Sequence, residues 1–262
     1  DAVPDVLRET AHVDSGVVMG LRHKTYTIEA VQYHPESVMS EYGHEMVRNF
    51  LSWRGGTSPE NPQDLNTPAS AGPSTSESIL TRIFRQRKLD VAQSQTIPGR
   101  SLADLEASIA LQLDPVRIDF PRRLLHGTER GIVPGIMAEI KRASPSKGDI
   151  APNTHAAEQA LLYARSGANV ISVLTEPTWF KGTLEDLVMV RRVVECMPRR
   201  PAILRKDFIL DEYQIAEARL AGADTVLLIV AMLDDMTLQR LYQYSLRLGM
   251  DPLVEVNNAE EM

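Results

Sequence analysis

The chain has 262 residues, with 28 Lys and Arg against 35 Asp and Glu and a formal net charge of −7, which argues against an extended basic surface for nucleic acid. Hydrophobic residues make up 43% and charged residues 24%, a globular balance with room for one barrel-sized domain or two ordinary ones. No apolar run reaches membrane-spanning length, no charged-then-apolar leader opens the chain, and the single cysteine, Cys196, rules out an intrachain disulfide, so a cytoplasmic protein without a cysteine-based metal site is expected.

In chain order, the first signal is a strand. Residues Thr25–Tyr33 (TYTIEAVQY) are rich in β-branched and aromatic side chains, and His34-Pro35-Glu36-Ser37 ends the run. Residues 41–53 then place Met46, Val47, Phe50 and Leu51 on one helical face. From Gly55 to Glu77 the sequence reads GGTSPENPQDLNTPASAGPSTSE, with Leu65 its one large aliphatic residue. Such a segment buries too little apolar surface to offset the entropy of ordering it. A disordered linker over 55–77 is expected between domains at 1–54 and 78–262.

Ile79, Leu80, Ile83 and Phe84 recur at helical spacing, as do Leu102, Leu105, Ile109 and Leu113. Beyond Pro134 the texture changes to short apolar runs at 135–140, 169–174, 202–205, 224–230 and 252–256. Amphipathic stretches at 154–166, 183–196, 212–220 and 236–248 separate them, which predicts parallel βα units. SGANVISVL (Ser166–Leu174), AGADTVLLI (Ala221–Ile229) and, more loosely, LGMDPLVEV (Leu248–Val256) repeat one pattern: a glycine ending a helix, a turn, a buried strand. The repeat supports a βα architecture and leaves a closed barrel and an open doubly wound sheet equally open. Cys196 falls in a helical pattern and reads as a buried small hydrophobe. Asp1 opens inside what reads as a folded segment and 258–262 reads as a helix just starting, so both ends are expected to be internal to a longer protein.

Charges sit where a simple core strand would have none. Glu139 and Lys141 are two residues apart and share a face. Lys206 follows Ile203-Leu204-Arg205, and Glu255 sits in Leu253-Val254-Glu255-Val256. One such charge is as readily a solvated or paired strand end. Four near the C-terminal ends of three strands point to the ligand-binding edge of a parallel α/β fold. Two acids and two bases offer both proton donors and acceptors, and a partly desolvated lysine can serve as an acid or base. From the residues themselves the reading ends at an α/β enzyme handling a phosphate or carboxylate.

EIKRASPSKGD (Glu139–Asp149) closely resembles the first-strand signature of indole-3-glycerol-phosphate synthases. SVLTEPTWFKG (Ser172–Gly182), LRKDFILDEYQI (Leu204–Ile215), GADTVLLIVAML (Gly222–Leu233) and LVEVN (Leu253–Asn257) resemble later motifs of that family in the same order. The resemblance covers about 78–262, including two helices like the family's N-terminal extension. It implies a (β/α)8 TIM barrel, here incomplete at about five of eight βα units, and a carboxy-lyase with no metal or organic cofactor. The family closes the indole ring of 1-(2-carboxyphenylamino)-1-deoxyribulose 5-phosphate with loss of carbon dioxide and water. By resemblance, Lys206 is the general acid on the ketose oxygen and Lys141 the second, substrate-binding lysine. Glu255 handles the proton of the dehydration, and Glu139 orients a lysine and the substrate hydroxyls. Ser144, Pro145 and Ser146 match the loop over the site; Phe180, Phe208 and Leu228 match the apolar wall, or are ordinary core.

RHKTYTIEAVQYHPES (Arg22–Ser37) is similar to the end of class I glutamine amidotransferases, of the kind paired with anthranilate synthase. His34 and Glu36 match the base and acid of their Cys-His-Glu triad. An anthranilate synthase large subunit is the implied partner. Amidotransferase, linker and synthase in this order resemble fungal multifunctional tryptophan-biosynthesis proteins, whose third domain is a phosphoribosylanthranilate isomerase. Two other readings remain: a different phosphate-binding βα barrel such as that isomerase, or an inactive truncated piece. Five strands with two open edges are expected neither to fold stably nor to turn over by themselves.

Overall fold

The computed structural model describes residues 3–12, 18–32, 43–52, 56–57, 79–128, 131–257 and 261. The chain divides into two compact units, Asp1–Thr81 and Arg82–Met262.

The first unit holds a three-stranded antiparallel sheet of β1 (Leu7–His12), β2 (Val18–His23) and β3 (Glu29–Val31), in that order. β1 and β2 carry no strong strand signal in the sequence. β3 is shorter than the expected strand at 25–33. The cause is local: His23 Nδ1 accepts from the backbone N–H of both Thr25 and Tyr26, each at 3.0 Å, which bends the chain before β3 begins. Arg22 and Glu29 pair across β2 and β3 at 3.0 Å. Helix α1 (Gly43–Ser52) forms as expected, with Met46, Val47, Phe50 and Leu51 exposed. Thr57 bridges to Tyr26, so the chain is still paired with this unit there. The rest of the expected linker, His34, Glu36 and the expected helix start at 258–260 lie outside the described residues.

Helix α2 (Ile79–Gln95) leads into the second unit, followed by α3 (Leu102–Ala110) and the short α4 (Phe120–Leu124). Ser101 and Asp104 form a reciprocal capping box that starts α3. A hairpin of β4 (Leu125–Thr128) and β5 (Gly131–Pro134) comes next. Then the βα units begin. Strand β6 (Met137–Ile140) is followed by the small hairpin β7 (Ala143–Ser144) and β8 (Gly148–Asp149), then α5 (Ala156–Arg165). After it run β9 (Val170–Leu174), α6 (Leu184–Val194), β10 (Ala202–Lys206) and α7 (Glu212–Ala221). The last units are β11 (Thr225–Ile229), α8 (Asp235–Arg247) and β12 (Leu253–Glu255). The five parallel strands lie in the order β12-β11-β10-β9-β6.

That order settles what the repeat left open. Each βα unit adds its strand beside the previous one, with no reversal of direction along the sheet. One strand face carries Ile140, Ile171, Val173, Ile203, Val226 and Leu228 into a core with Ala160, Leu187, Val190, Ile215 and Leu241 of the helices. A doubly wound sheet would put helices on both faces; sequential strands with helices on one face are the barrel arrangement, here as an open five-strand arc. Each fully buried aliphatic side chain in that core contributes about 1.5–3 kcal/mol.

Cys196 departs from its expected place: it is exposed. Helix α6 ends at Val194. Its inward face is taken by Leu187, Val190 and Val194, and Cys196 falls past the end and off that face.

Candidate active site

Strand pleating sorts the charges at the C-terminal edge onto two faces. In β10, Arg205 and Lys206 are adjacent, so their side chains part. Arg205 turns to the helix layer, where its guanidinium donates to Gln214 O at 2.8 Å and to Glu217 Oε2 at 2.9 Å. Lys206 therefore faces the inner side. The registers Glu139↔Ser172↔Leu204 and Lys206↔Leu174 put Glu139 on that inner side too. Ile229↔Glu255 does the same for Glu255, two residues from Leu253.

Glu139 joins two amines. Lys141 Nζ lies 2.8 Å from its Oε1, and Lys206 Nζ donates to its Oε2 at 2.8 Å. All three side chains remain between a quarter and two fifths exposed, at 28%, 33% and 36%. The cluster carries a net charge of +1, so it favours an anion. Partial burial pushes the Glu139 carboxyl up, but the hydrogen bonds and charges of Lys141 and Lys206 outweigh this and hold it below the usual carboxylate range. Glu255 shares the inner face, yet its side chain pairs with none of the described residues. Among the described residues no group of three or more His, Cys, Asp or Glu side chains is placed to hold a metal ion.

The loops above this edge are tied together. Ser144, Pro145 and Ser146 lie in the β7–β8 hairpin, where Lys147 N donates to Ser144 Oγ at 3.2 Å. Arg142 at its base donates to both carboxylate oxygens of Asp186, at 2.5 and 2.7 Å, and to Lys181 O at 3.0 Å. Lys181 in turn pairs with Asp149. Asp186 is also the capping-box residue of α6, so one carboxylate fixes a helix start and a loop contact. The β9–α6 loop is wound around Glu176. Its buried carboxylate accepts from the N–H groups of Thr178, Trp179 and Phe180 at 2.7–2.9 Å. Gly182 closes this loop against the strand end, where an added Cβ would sit 2.0 Å from Leu174 O. Phe180 is thereby brought beside Phe208, with ring centroids 5.9 Å apart.

Leu228 is not with them. It is fully buried in the sheet–helix core, because Val226 and Leu228 share the helix-facing side with Arg205. The inner-face residues of β11 are Thr225, Leu227 and Ile229. Leu228, expected on the apolar wall, therefore faces the helices, and Leu227 takes the inner face of β11.

Sequence reading also missed what stands behind Lys206. Asp207 is buried and its carboxylate accepts from Arg87 at 2.9 Å, Arg205 at 3.1 Å, Thr175 Oγ1 at 2.7 Å and Phe208 N at 2.8 Å. Burial raises its pKa, but Arg205 and Arg87, then Thr175 and the Phe208 N–H, hold it well below the usual carboxylate range. The signal was present as three consecutive charges, Arg205-Lys206-Asp207, which pleating must split between two faces.

A family model described as indole-3-glycerol phosphate synthase matches residues 80–262, and one described as glutamine amidotransferase class-I matches residues 1–53. The chain is 53% identical over 277 residues to a multifunctional tryptophan biosynthesis protein of Phycomyces blakesleeanus, covering 99% of this chain and 36% of that protein. The protein of that name from Schizosaccharomyces pombe is 52% identical over 276 residues, covering 100% of this chain and 36% of its own. An indole-3-glycerol phosphate synthase of Nocardioides sp. is 46% identical over 184 residues, covering 70% of this chain and 65% of its own. The chain thus spans about a third of the length of the multifunctional relatives it matches.

Proposed function

The chain belongs to the indole-3-glycerol phosphate synthase family, and on that premise we propose that residues 80–262 supply the first five βα units and the proton-transfer cluster of such a synthase. The observation that carries this reading is one carboxylate, Glu139, holding the amines of Lys141 and Lys206 at 2.8 Å on the inner face.

The substrate is 1-(2-carboxyphenylamino)-1-deoxyribulose 5-phosphate, and its anionic groups suit a cluster of charge +1. Attack of the aromatic carbon on the ketone builds negative charge on the carbonyl oxygen. Lys206 stabilises that charge and delivers its proton. Glu139 holds the amine in place before the substrate arrives. Lys141 binds the anthranilate carboxylate until it leaves as carbon dioxide. Glu255, unpaired among the described residues, is free to take the proton that leaves with water, from the former sugar carbon bonded to nitrogen. Phe180, Phe208 and Leu227 flank the aromatic ring. The Ser144-Pro145-Ser146 hairpin closes over it and excludes water, holding two ends of a flexible substrate together.

Residues 1–53 read as the end of a glutamine amidotransferase domain, with His34 and Glu36 as the base and acid of its triad. An anthranilate synthase large subunit would receive the ammonia, in the cytoplasm. Among the described residues no helix is long and apolar enough to cross a membrane.

The test is to give the purified full-length protein the carboxyphenylamino substrate and follow indole absorbance with carbon dioxide release. Stoichiometric appearance of both is expected. Conversion of phosphoribosylanthranilate alone, with none of this substrate consumed, would overturn the assignment.

A further inference from the structure

Helix α2 lies before the βα units in the chain, yet it reaches the residue next to Lys206. Arg87 on α2 is 6% exposed and donates to Asp207 at 2.9 Å across 120 residues of sequence. Asp207 is the first residue past β10, whose last residue is Lys206. Its carboxylate gathers Arg87, Arg205, the Thr175 hydroxyl and the Phe208 N–H. The backbone is pinned from the neighbouring strand as well, since Thr175 N donates to Lys206 O at 3.1 Å. Thr175 Oγ1 also accepts from Arg205 Nε at 3.0 Å. Beyond the strand, Gln214 fixes the turn by donating to Phe208 O at 2.9 Å and accepting from Leu210 N at 2.8 Å.

Such a network is a poor source of stability. Taking three charged groups out of water offsets most of what their attraction contributes, and apolar side chains of similar volume would serve as well. What it provides is direction. With Arg205 and Asp207 both held on the helix side, Lys206 between them has only the inner side left. The Phe208 N–H bond fixes the residue whose ring meets Phe180. Arg87 is the one member from outside the βα units, and it also pairs with Asp90 at 3.0 Å on its own helix.

We infer that Arg87 is a positioning residue for the reaction: through Asp207 it sets the tip of β10 so that the Lys206 amine meets Glu139 and the substrate oxygen. The inference rests on the synthase reading above. It makes α2 part of the catalytic apparatus without contact between Arg87 and substrate.

The experiment compares wild type, Arg87→Met, Arg87→Lys and Lys206→Met in the full-length protein, reading kcat, KM and the pH profile of kcat. A misplaced acid should lower kcat in Arg87→Met by between about tenfold and a hundredfold, with KM within about threefold of wild type. The acid limb of its profile should move to higher pH, because Glu139 loses part of the ammonium pairing that keeps it ionised. Partial unfolding would lower the amplitude and leave the limb where it was, so a reduced kcat with an unmoved limb overturns the inference. So does an unchanged kcat. Arg87→Lys keeps the charge and loses the fork; it should fall between the other two, and it decides the matter by the same limb shift if Arg87→Met does not fold. Wild-type turnover surviving in Lys206→Met would instead overturn the synthase roles themselves, a separate outcome.

Discussion

The two ends of the five-strand sheet use the same residue types to opposite effect. At the N-terminal end, Asp224 is buried and fully engaged: Arg200 donates to both its oxygens at 2.6 and 2.8 Å, and Ile118 N and Ile203 N each donate at 2.8 Å. Arg191 and Arg200 both donate to Val116 O at 2.9 Å, and Arg219 donates to Pro115 O at 2.7 Å. The segment after α3 is thus strapped over that end by Arg191, Arg200 and Arg219, which are buried and each paired with a carboxylate. At the C-terminal end, Lys141 and Lys206 share one carboxylate and stay about a third exposed. Saturated, dry charges hold a shape. Under-paired, wet charges are available to a substrate. On the synthase reading proposed above, the wet cluster is the working one.

Substitutions that separate activity from stability test the contrast directly. Lys206→Met should remove about 10²–10⁴-fold of kcat, the range of a lost general acid. The urea midpoint should hardly move, because the amine is partly in water already. A large loss of stability with little loss of rate would reverse the two ends. Asp224→Ala should do the opposite. It strands the Arg200 guanidinium and two backbone N–H groups in a dry site, at a cost of about 3–5 kcal/mol. The molecules that remain folded should keep a wild-type KM, and a KM that rose severalfold in folded protein would tie this end to the substrate.

The sequence displays the barrel units more readily than the first unit, for a physical reason. Buried parallel strands need continuous apolar runs and their helices need one apolar face, so β9, β10, β11 and α5 to α8 stand within two residues of their expected ends. β1 (LRETAH) and β2 (VMGLRH) carry charges along their length, and their pairing rests on backbone bonds that leave no mark in composition. The site shows the same division. Glu139, Lys141 and Lys206 stood out because charge at a strand end is costly without a use. Leu227 and Leu228 could not be told apart, since a one-residue difference in register exchanges the faces of an apolar strand. The Arg87–Asp207 link spans 120 positions, and no local pattern announces a contact of that range.

That ambiguity gives the next test, of intermediate size. Leu228→Ala empties a slot in the sheet–helix core and should cost about 2–5 kcal/mol, with KM unchanged in the folded fraction. Leu227→Ala opens the inner face instead. Its KM should rise by about 10–200-fold, the discrimination available from lost apolar contact in a binding pocket. Equal effects of the two on KM would mean that pleating does not separate them, and the assignment of faces along β11 would fail with it.

The smallest effect is a pH dependence, and its sign follows from Glu139. The folded state holds this carboxyl below its unfolded value of about 4.3. Its contribution to stability is therefore present above that pH and is lost as pH falls through the folded value. Glu139→Gln removes the charge at every pH and leaves two ammonium groups facing each other. The stability gap between wild type and Glu139→Gln should be less than about 1 kcal/mol at pH 7, since the cluster is partly solvated. It should close on acidification below about pH 4, as protonation makes the wild-type side chain neutral too. Urea unfolding at both pH values checks this. A gap that stays constant would mean that the carboxylate does not bind its two lysines in solution, and the pairing that marks this end of the sheet as the reactive one would be lost.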